Sequence, residues 1–347
     1  MQHAIRSLVT SVQQNCDISD ARHAGDYTLC IYLLKMREYY RWSEKIPFTD
    51  IIGSSEVGLW VEQKEAYWES LLDRDYATMT INGCGHQPFE TEAINSYLLQ
   101  QGYVYGGGIG RFSKPYFFLA ELQNTEATHG YTAYVSGREL ARELIAPPAM
   151  TQGDNIFIRR ESLRRLLWEK VEEWRWQKRE NAMARAVKYY DFDSDMNQAL
   201  ERMTENEIET LILHEIGEVV AGQLIGGTWN DMLLTVTCTG AEMFVRAVRD
   251  LLADCLTSLP ALLNENNQAS LHFYFANLSP LRKELFPALE TAYQRWLNSD
   301  DTRLLKTAVR EGKAHWLSVA DEIMDTYNRF HDDSIAVIET LVRDSRF

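Results

Sequence analysis

The chain has 347 residues, 45% hydrophobic and 24% charged, which is the composition of a folded globular protein and excludes a mainly disordered one. Its formal charge is −15, which excludes a globally basic nucleic-acid footprint and argues against attraction to anionic membranes. Residues 1–10 hold no apolar core behind basic residues, and no run of 18 apolar residues occurs, so a cytoplasmic chain without a membrane span is expected. The cysteines, Cys16, Cys30, Cys84, Cys238 and Cys255, are odd in number, widely spaced and free of any Cys-x-x-Cys pair; they are expected to be free thiols, mostly in the core.

In chain order, residues 4–15 read as a short amphipathic helix and Asp26 to Trp42 as a second, with Leu29, Leu33, Leu34 and Met36 at helical spacing. Its end, Met36 to Trp42, mixes aromatic and charged residues and fits a domain or subunit interface, so a homo-oligomer is one expectation. Glu56 to Leu72 reads as a third helix, with Val57, Trp60, Val61, Trp68 and Leu71 inward. Thr78 to Ile81 favours strand, Asn82-Gly83 is a tight-turn signal, and Glu90 to Gln101 is helical. The stretch Gly102 to Ala120 places glycines between two aromatic runs and predicts a β-hairpin with a wide tip, where Arg111 and Lys114 are possible anion contacts. Gly106, Gly108 and Gly110 are followed by Arg111 to Pro115 rather than a helix, which argues against a dinucleotide fingerprint. Tyr131 to Val135 is a strand candidate, and Arg138 to Ile145 a short helix stopped by Pro147-Pro148.

The Pro- and Gly-rich segment at 146–154 is the best domain boundary. Residues 1–150 are therefore expected to form an α+β domain with the glycine-rich hairpin, and residues 151–347 an all-helical bundle: a mostly α protein. Ser162 to Met183 is an amphipathic helix. The acidic Tyr189 to Asp195 lacks the glycine and closing glutamate of a calcium loop and reads as a connector and helix cap. Thr204 with Glu207 has the form of a capping box, which starts a helix that Gly226-Gly227 ends. Thr239 can cap a helix from Gly240 to Leu259, on which Arg246 pairs with Asp250 one turn on. Another helix covers Lys283 to Asn298. The last two hold Glu311 with His315, and Ile335 to Arg343.

The helix from Thr204 to Gly226 is apolar nearly all round, as expected of a buried helix. His214 and Glu218 stand four apart on one stripe, Glu215 lies about 100° away, and Gly222 leaves room beside them. Carboxylates in such surroundings need a partner, a proton or a cation. His214-Glu215-Ile216-Gly217-Glu218 resembles the zincin helix motif His-Glu-x-x-His, with Glu218 where the second histidine would stand. That resemblance implies zinc ligation by His214 and Glu218, Glu215 as general base and Glu242 as third ligand. Asp250/Asp254 and Glu311/His315 are two more pairs of ligand type at i and i+4, and His272 is a further option. Taken together they resemble, in general outline, the carboxylate–histidine layout of the heme-oxygenase-like di-iron oxidases. As a whole, and through Met36–Trp42 and His214–Glu218, the chain resembles an uncharacterised bacterial protein family to which no activity attaches.

Three functions are compatible with this pattern. The first is a metal-dependent enzyme, a non-heme iron or di-metal oxidoreductase acting on a small molecule. In it His214, Glu218, Asp250 and Asp254 are metal ligands, His272 or His315 completes the shell, and Glu215 is the catalytic base. Imidazole with carboxylate suits iron, manganese or zinc better than calcium. The second is a zincin-like hydrolase with Glu215 as base. The third is a non-catalytic scaffold or regulatory protein in which the same residues form an internal network.

Overall fold

All strands lie between residues 79 and 159, and the other regular elements are helices: the chain is mostly α, with an α+β N-terminal part and a helical C-terminal part. The structure, a computed structural model, describes every residue except 1, 111, 112, 129, 178 and 238, so the expectations for Arg111 and Cys238 lie outside the described residues. Packing divides the chain into one unit of residues 1–128 and 132–163 and a second of 129–131 and 164–347. The division follows Leu163, beyond the Pro-rich segment at 146–154, because the strand pair after Pro148 completes the first unit's sheet.

The first unit contains α1 (Gln2–His23), α2 (Leu29–Ser43), α3 (Ser54–Glu69), β1 (Met79–Ile81), β2 (Cys84–His86), α4 (Thr91–Leu98), β3 (Tyr103–Ile109), β4 (Pro115–Thr128), β5 (Tyr131–Arg142), β6 (Ala149–Gln152) and β7 (Asn155–Arg159). Asn82 and Gly83 both take left-handed angles, φ 52° and 80°, as a two-residue hairpin turn requires, and Ile81 pairs with Cys84. The larger sheet has the order β3-β4-β5-β7-β6. In it β3 runs antiparallel to β4, β5 parallel to β7 and β6 antiparallel to β7. Its inner face packs Tyr105, Phe117 and Leu119 against Leu8, Val12 and Cys16 of α1 and Ile94 of α4.

The glycines at 106–108 are strand residues, not a loop. Gly106 faces Phe118 and Gly108 faces Tyr116, and a Cβ at Gly106 would run into the Phe118 ring. The missing side chains leave space for aromatic rings lying across the strand, a pairing that restores the packing glycine lacks. Lys114 is occupied: its ammonium lies 3.1 Å from Asp26 and over the Tyr27 ring.

Residues 138–142 belong to β5 rather than to a helix. The helix-forming composition of Arg-Glu-Leu-Ala-Arg loses to tertiary pairing. Arg159, fully buried, donates Nε and Nη2 to the two oxygens of Glu139 at 3.1 and 3.0 Å, and Nη1 to Glu143 at 2.7 Å. The Ser162 hydroxyl also donates to Glu139, at 2.6 Å. Burial alone would raise the Glu139 pKa, but the Arg159 and Arg142 charges and these hydrogen bonds hold it below the usual carboxylate value. The Met36–Trp42 segment also turns inward within its own unit. Tyr39 is buried and stacks on Trp42 and Trp68, and Arg41 donates to the carbonyls of Pro47 and Asp50. Met36 is buried, whereas Leu29, Leu33 and Leu34 are exposed.

The second unit takes most of α5 (Arg160–Gln177), then α6 (Ala182–Val187), α7 (Met196–Ile225), α8 (Thr228–Thr235), α9 (Gly240–Leu256), α10 (Ser258–Asn264), α11 (Gln268–Asn277), α12 (Pro280–Leu285), α13 (Pro287–Ser299), α14 (Arg303–Phe330) and α15 (Ile335–Asp344). Helix α7 starts eight residues before Thr204: the Asp195 carboxylate accepts from the Gln198 amide at 3.0 Å as N-cap, and the Thr204 hydroxyl donates back to the Leu200 carbonyl inside the helix. Gly226, φ 103°, ends it. Pro287 divides the span expected as one helix from Lys283 to Asn298, since proline lacks the amide a continuous helix needs. The core joins Val245, Val248 and Leu252 of α9 to Trp316, Val319 and Ile323 of α14 and Ile338 of α15. Among the described residues no helix is long and apolar enough to cross a membrane.

Candidate metal centre

Helices α7 and α9 meet closely at one residue, Gly217. A Cβ there would lie 2.6 Å from the Ala253 carbonyl oxygen and closer still to the Thr257 hydroxyl. Thr257 ties the crossing by donating to the Leu213 carbonyl of α7 at 2.6 Å. Gly222, with nothing within 4 Å of its virtual Cβ, does not perform this role. With the backbones held so near, the His214–Glu218 stripe of α7 faces Asp250 and Asp254, one turn apart on α9.

His214, Glu218 and Asp250 can each offer one donor atom, and those atoms lie within 4.8 Å of one another. It is the one such group of three among the described residues. Bonds of about 2.1 Å to a shared ion put neighbouring donors about 3.0–3.4 Å apart, so a cation would draw the widest pair of the group in by up to about 2 Å. Asp254 takes a different position, behind the imidazole. His214 Nδ1–H donates to Asp254 Oδ1 at 2.8 Å, which leaves Nε2 directed at Glu218 Oε1, 3.4 Å away. A carboxylate fixing the far nitrogen of a ligating histidine is a recurrent support in metal sites. Asp254 is itself held by the Tyr274 hydroxyl at 2.8 Å and by the Arg282 guanidinium. Arg249 Nη2 donates to Glu218 Oε2 at 2.6 Å, so the other oxygen of Glu218 is the one facing His214.

The electrostatics follow from this enclosure. Burial disfavours a charged His214, but the Glu218 hydrogen bond and the charges of Glu218, Asp250 and Glu215 outweigh it and raise the imidazole pKa above its ordinary value. Glu215 is buried on the adjoining face of α7 and is not one of the three grouped residues.

The other expected ligands lie elsewhere. His272 Nδ1 sits 2.9 Å from the Tyr293 hydroxyl among the rings of Tyr189, Tyr293 and Trp296. Burial, aided by the Arg185 charge, pushes its pKa down to about 4, so it is a neutral member of an aromatic cluster. His315 donates Nε2–H to the Ser345 carbonyl at 2.7 Å and stacks on Phe347, while Glu311 is exposed. Neither histidine joins the His214–Glu218–Asp250 group. Glu242 accepts from Arg246 Nε at 2.9 Å, so Arg246 serves Glu242 instead of Asp250. The third ligand that the zincin pattern implied is thereby engaged elsewhere, and Asp250, not Glu242, is grouped with His214 and Glu218.

Residues the pattern did not single out supply the rest. Arg249 precedes Asp250 directly, and Tyr274 sits in the His-Phe-Tyr-Phe run, but no periodicity within one helix shows which neighbour each will meet. Glu207 is another. It lies two turns before His214 on the same stripe of α7 and accepts from the Ser270 hydroxyl at 2.7 Å, and burial pushes its carboxyl up to about 7.

Residues 164–345 match the C-terminal domain of a family of unknown function, DUF6866, and residues 7–159 match its N-terminal domain. The chain belongs to the DUF6866 family. No curated protein and no solved structure matches it. The DUF6866 domain limits fall where packing divides the chain, and the His214–Glu218–Asp250 group lies wholly in the DUF6866 C-terminal domain.

Proposed function

We propose that the protein is a metal-dependent enzyme that holds one divalent cation, iron or manganese before zinc, through His214, Glu218 and Asp250. The supporting observation is the junction of three donors with a histidine whose tautomer Asp254 already sets. One imidazole and two carboxylates suit a hard or borderline cation that accepts more than four ligands. Three protein donors leave coordination positions for water or substrate, as catalytic sites do and closed structural sites do not. A single ion, not a pair, fits three donors. Glu215, beside the group but outside it, is the nearest further acid for proton transfer.

A second reading has its own support. Arg249 and Arg282 already bind Glu218 and Asp254, and the neighbouring acids raise the His214 pKa, so the residues also make sense as an ion-pair network that joins α7 to α9. Metal analysis separates the two. Untagged protein loaded with iron(II) without oxygen, or with manganese(II), then desalted, retains about one equivalent if the donors act as a chelate. His214→Ala and Asp250→Asn retain none. Equal, substoichiometric metal in wild type and both variants would leave the network reading.

A further inference from the structure

Deepening that assignment, we infer that the centre takes a small oxyanion, a carboxylate or phosphate group, that bridges the cation and Arg249. The inference rests on the metal reading and goes on to name its ligand.

Two observations carry it. First, Arg249 is one carboxylate removed from the cation position: its Nη2 holds Glu218 Oε2 while Glu218 Oε1 faces His214. The guanidinium therefore lies one carboxylate away from where the cation would be held. Second, Arg249 is only partly engaged. Its Nε is buried and makes no hydrogen bond to a described residue, although the guanidinium has five donors in a planar fork that matches two-oxygen anions. Its side chain is 17% exposed and that of Glu218 19%, so a small molecule in solvent has access. An oxygen ligand with two or more donor atoms can satisfy the ion and the guanidinium together.

Cation and oxyanion should therefore bind cooperatively through Arg249. The test is manganese(II) binding to the full-length protein, followed by the loss of the free-ion electron paramagnetic resonance signal, alone and with oxalate or inorganic phosphate. At least one anion is expected to tighten manganese binding by about tenfold, within the usual range of coupling between linked sites. Whichever anion does so identifies the preferred group. Arg249→Gln should abolish that coupling, read as the ratio of manganese affinities with and without the anion in the same variant so that a change in affinity for manganese alone cancels, and Arg249→Lys, which keeps charge but loses the fork, should retain part of it. Manganese binding that neither anion alters, or coupling that survives in both variants, overturns the oxyanion inference and leaves the cation site standing. No manganese binding at all overturns both.

Discussion

Glu207→Gln is the substitution whose effect the structure fixes most closely. A carboxyl with an ordinary pKa of 4.5 that burial pushes up to about 7 binds its proton more tightly in the folded state. The difference, at 1.36 kcal/mol per pH unit, is about 3 kcal/mol. The folded pKa is the higher one, so this contribution is complete below pH 4.5 and is lost as pH rises through 7. Glutamine keeps an oxygen for the Ser270 hydroxyl and has no proton to lose. His214 is two turns away along α7, about 10 Å by helical rise, so the two titrations interact weakly. Urea unfolding of wild type and variant at intervals from pH 4.5 to 8 gives the stability difference, in which groups common to both cancel. The variant should gain on wild type as pH rises, by about 3 kcal/mol over the range. A difference that stays flat would mean that Glu207 is already ionised in the folded protein and that the account of its burial is wrong.

Other substitutions test separate parts of the structure. Gly217→Ala places a methyl against the Ala253 carbonyl, an obstacle in the backbone itself; overpacking of this kind costs about 1–3 kcal/mol, and forcing α7 from α9 should weaken metal retention as well, seen by denaturation and metal analysis together. Gly222→Ala, with open space around it, should leave metal retention unchanged and stabilise α7 by about 0.5–1 kcal/mol. Asp254→Ala removes the acceptor that orients His214 and should lower metal affinity by about 10–100-fold, as loss of such supporting groups does, while leaving the number of sites unchanged in a titration. Arg159→Leu removes the guanidinium that bonds both buried carboxylates, Glu139 and Glu143, and should cost about 3–5 kcal/mol, read as earlier unfolding of the N-terminal unit by hydrogen exchange.

Short-range chemistry was legible in the sequence. Asn82-Gly83 marked its hairpin, Gly226 the end of α7, and the four-residue spacings of His214/Glu218 and Asp250/Asp254 placed each pair on one stripe. Two of those stripes do meet. The third does not, because spacing within a helix says nothing about which neighbour a face will pack on: His315 turns to the Ser345 carbonyl and His272 to Tyr293. Residues 138–142 misled for a related reason, since their composition is helical and only pairing in the sheet, with the buried Arg159 of the neighbouring β7 holding Glu139, makes them a strand. Glu207 passed as a capping residue because Thr204 precedes it, while the cap that forms, Asp195, ends the acidic segment that the sequence reads as connector and helix cap. Arg249 and Arg282 were hidden by their number: the chain holds 35 basic residues, and only the packing of α9 and α12 shows which two reach the acids beside His214.

The central claim is that His214, Glu218 and Asp250 together hold one cation. Isothermal titration of manganese(II) into metal-free protein tests it most directly. The account predicts a single site in wild type and affinity at least about tenfold weaker in each of His214→Ala, Glu218→Gln and Asp250→Asn. Binding that is absent from wild type, or unchanged by all three substitutions, would contradict it.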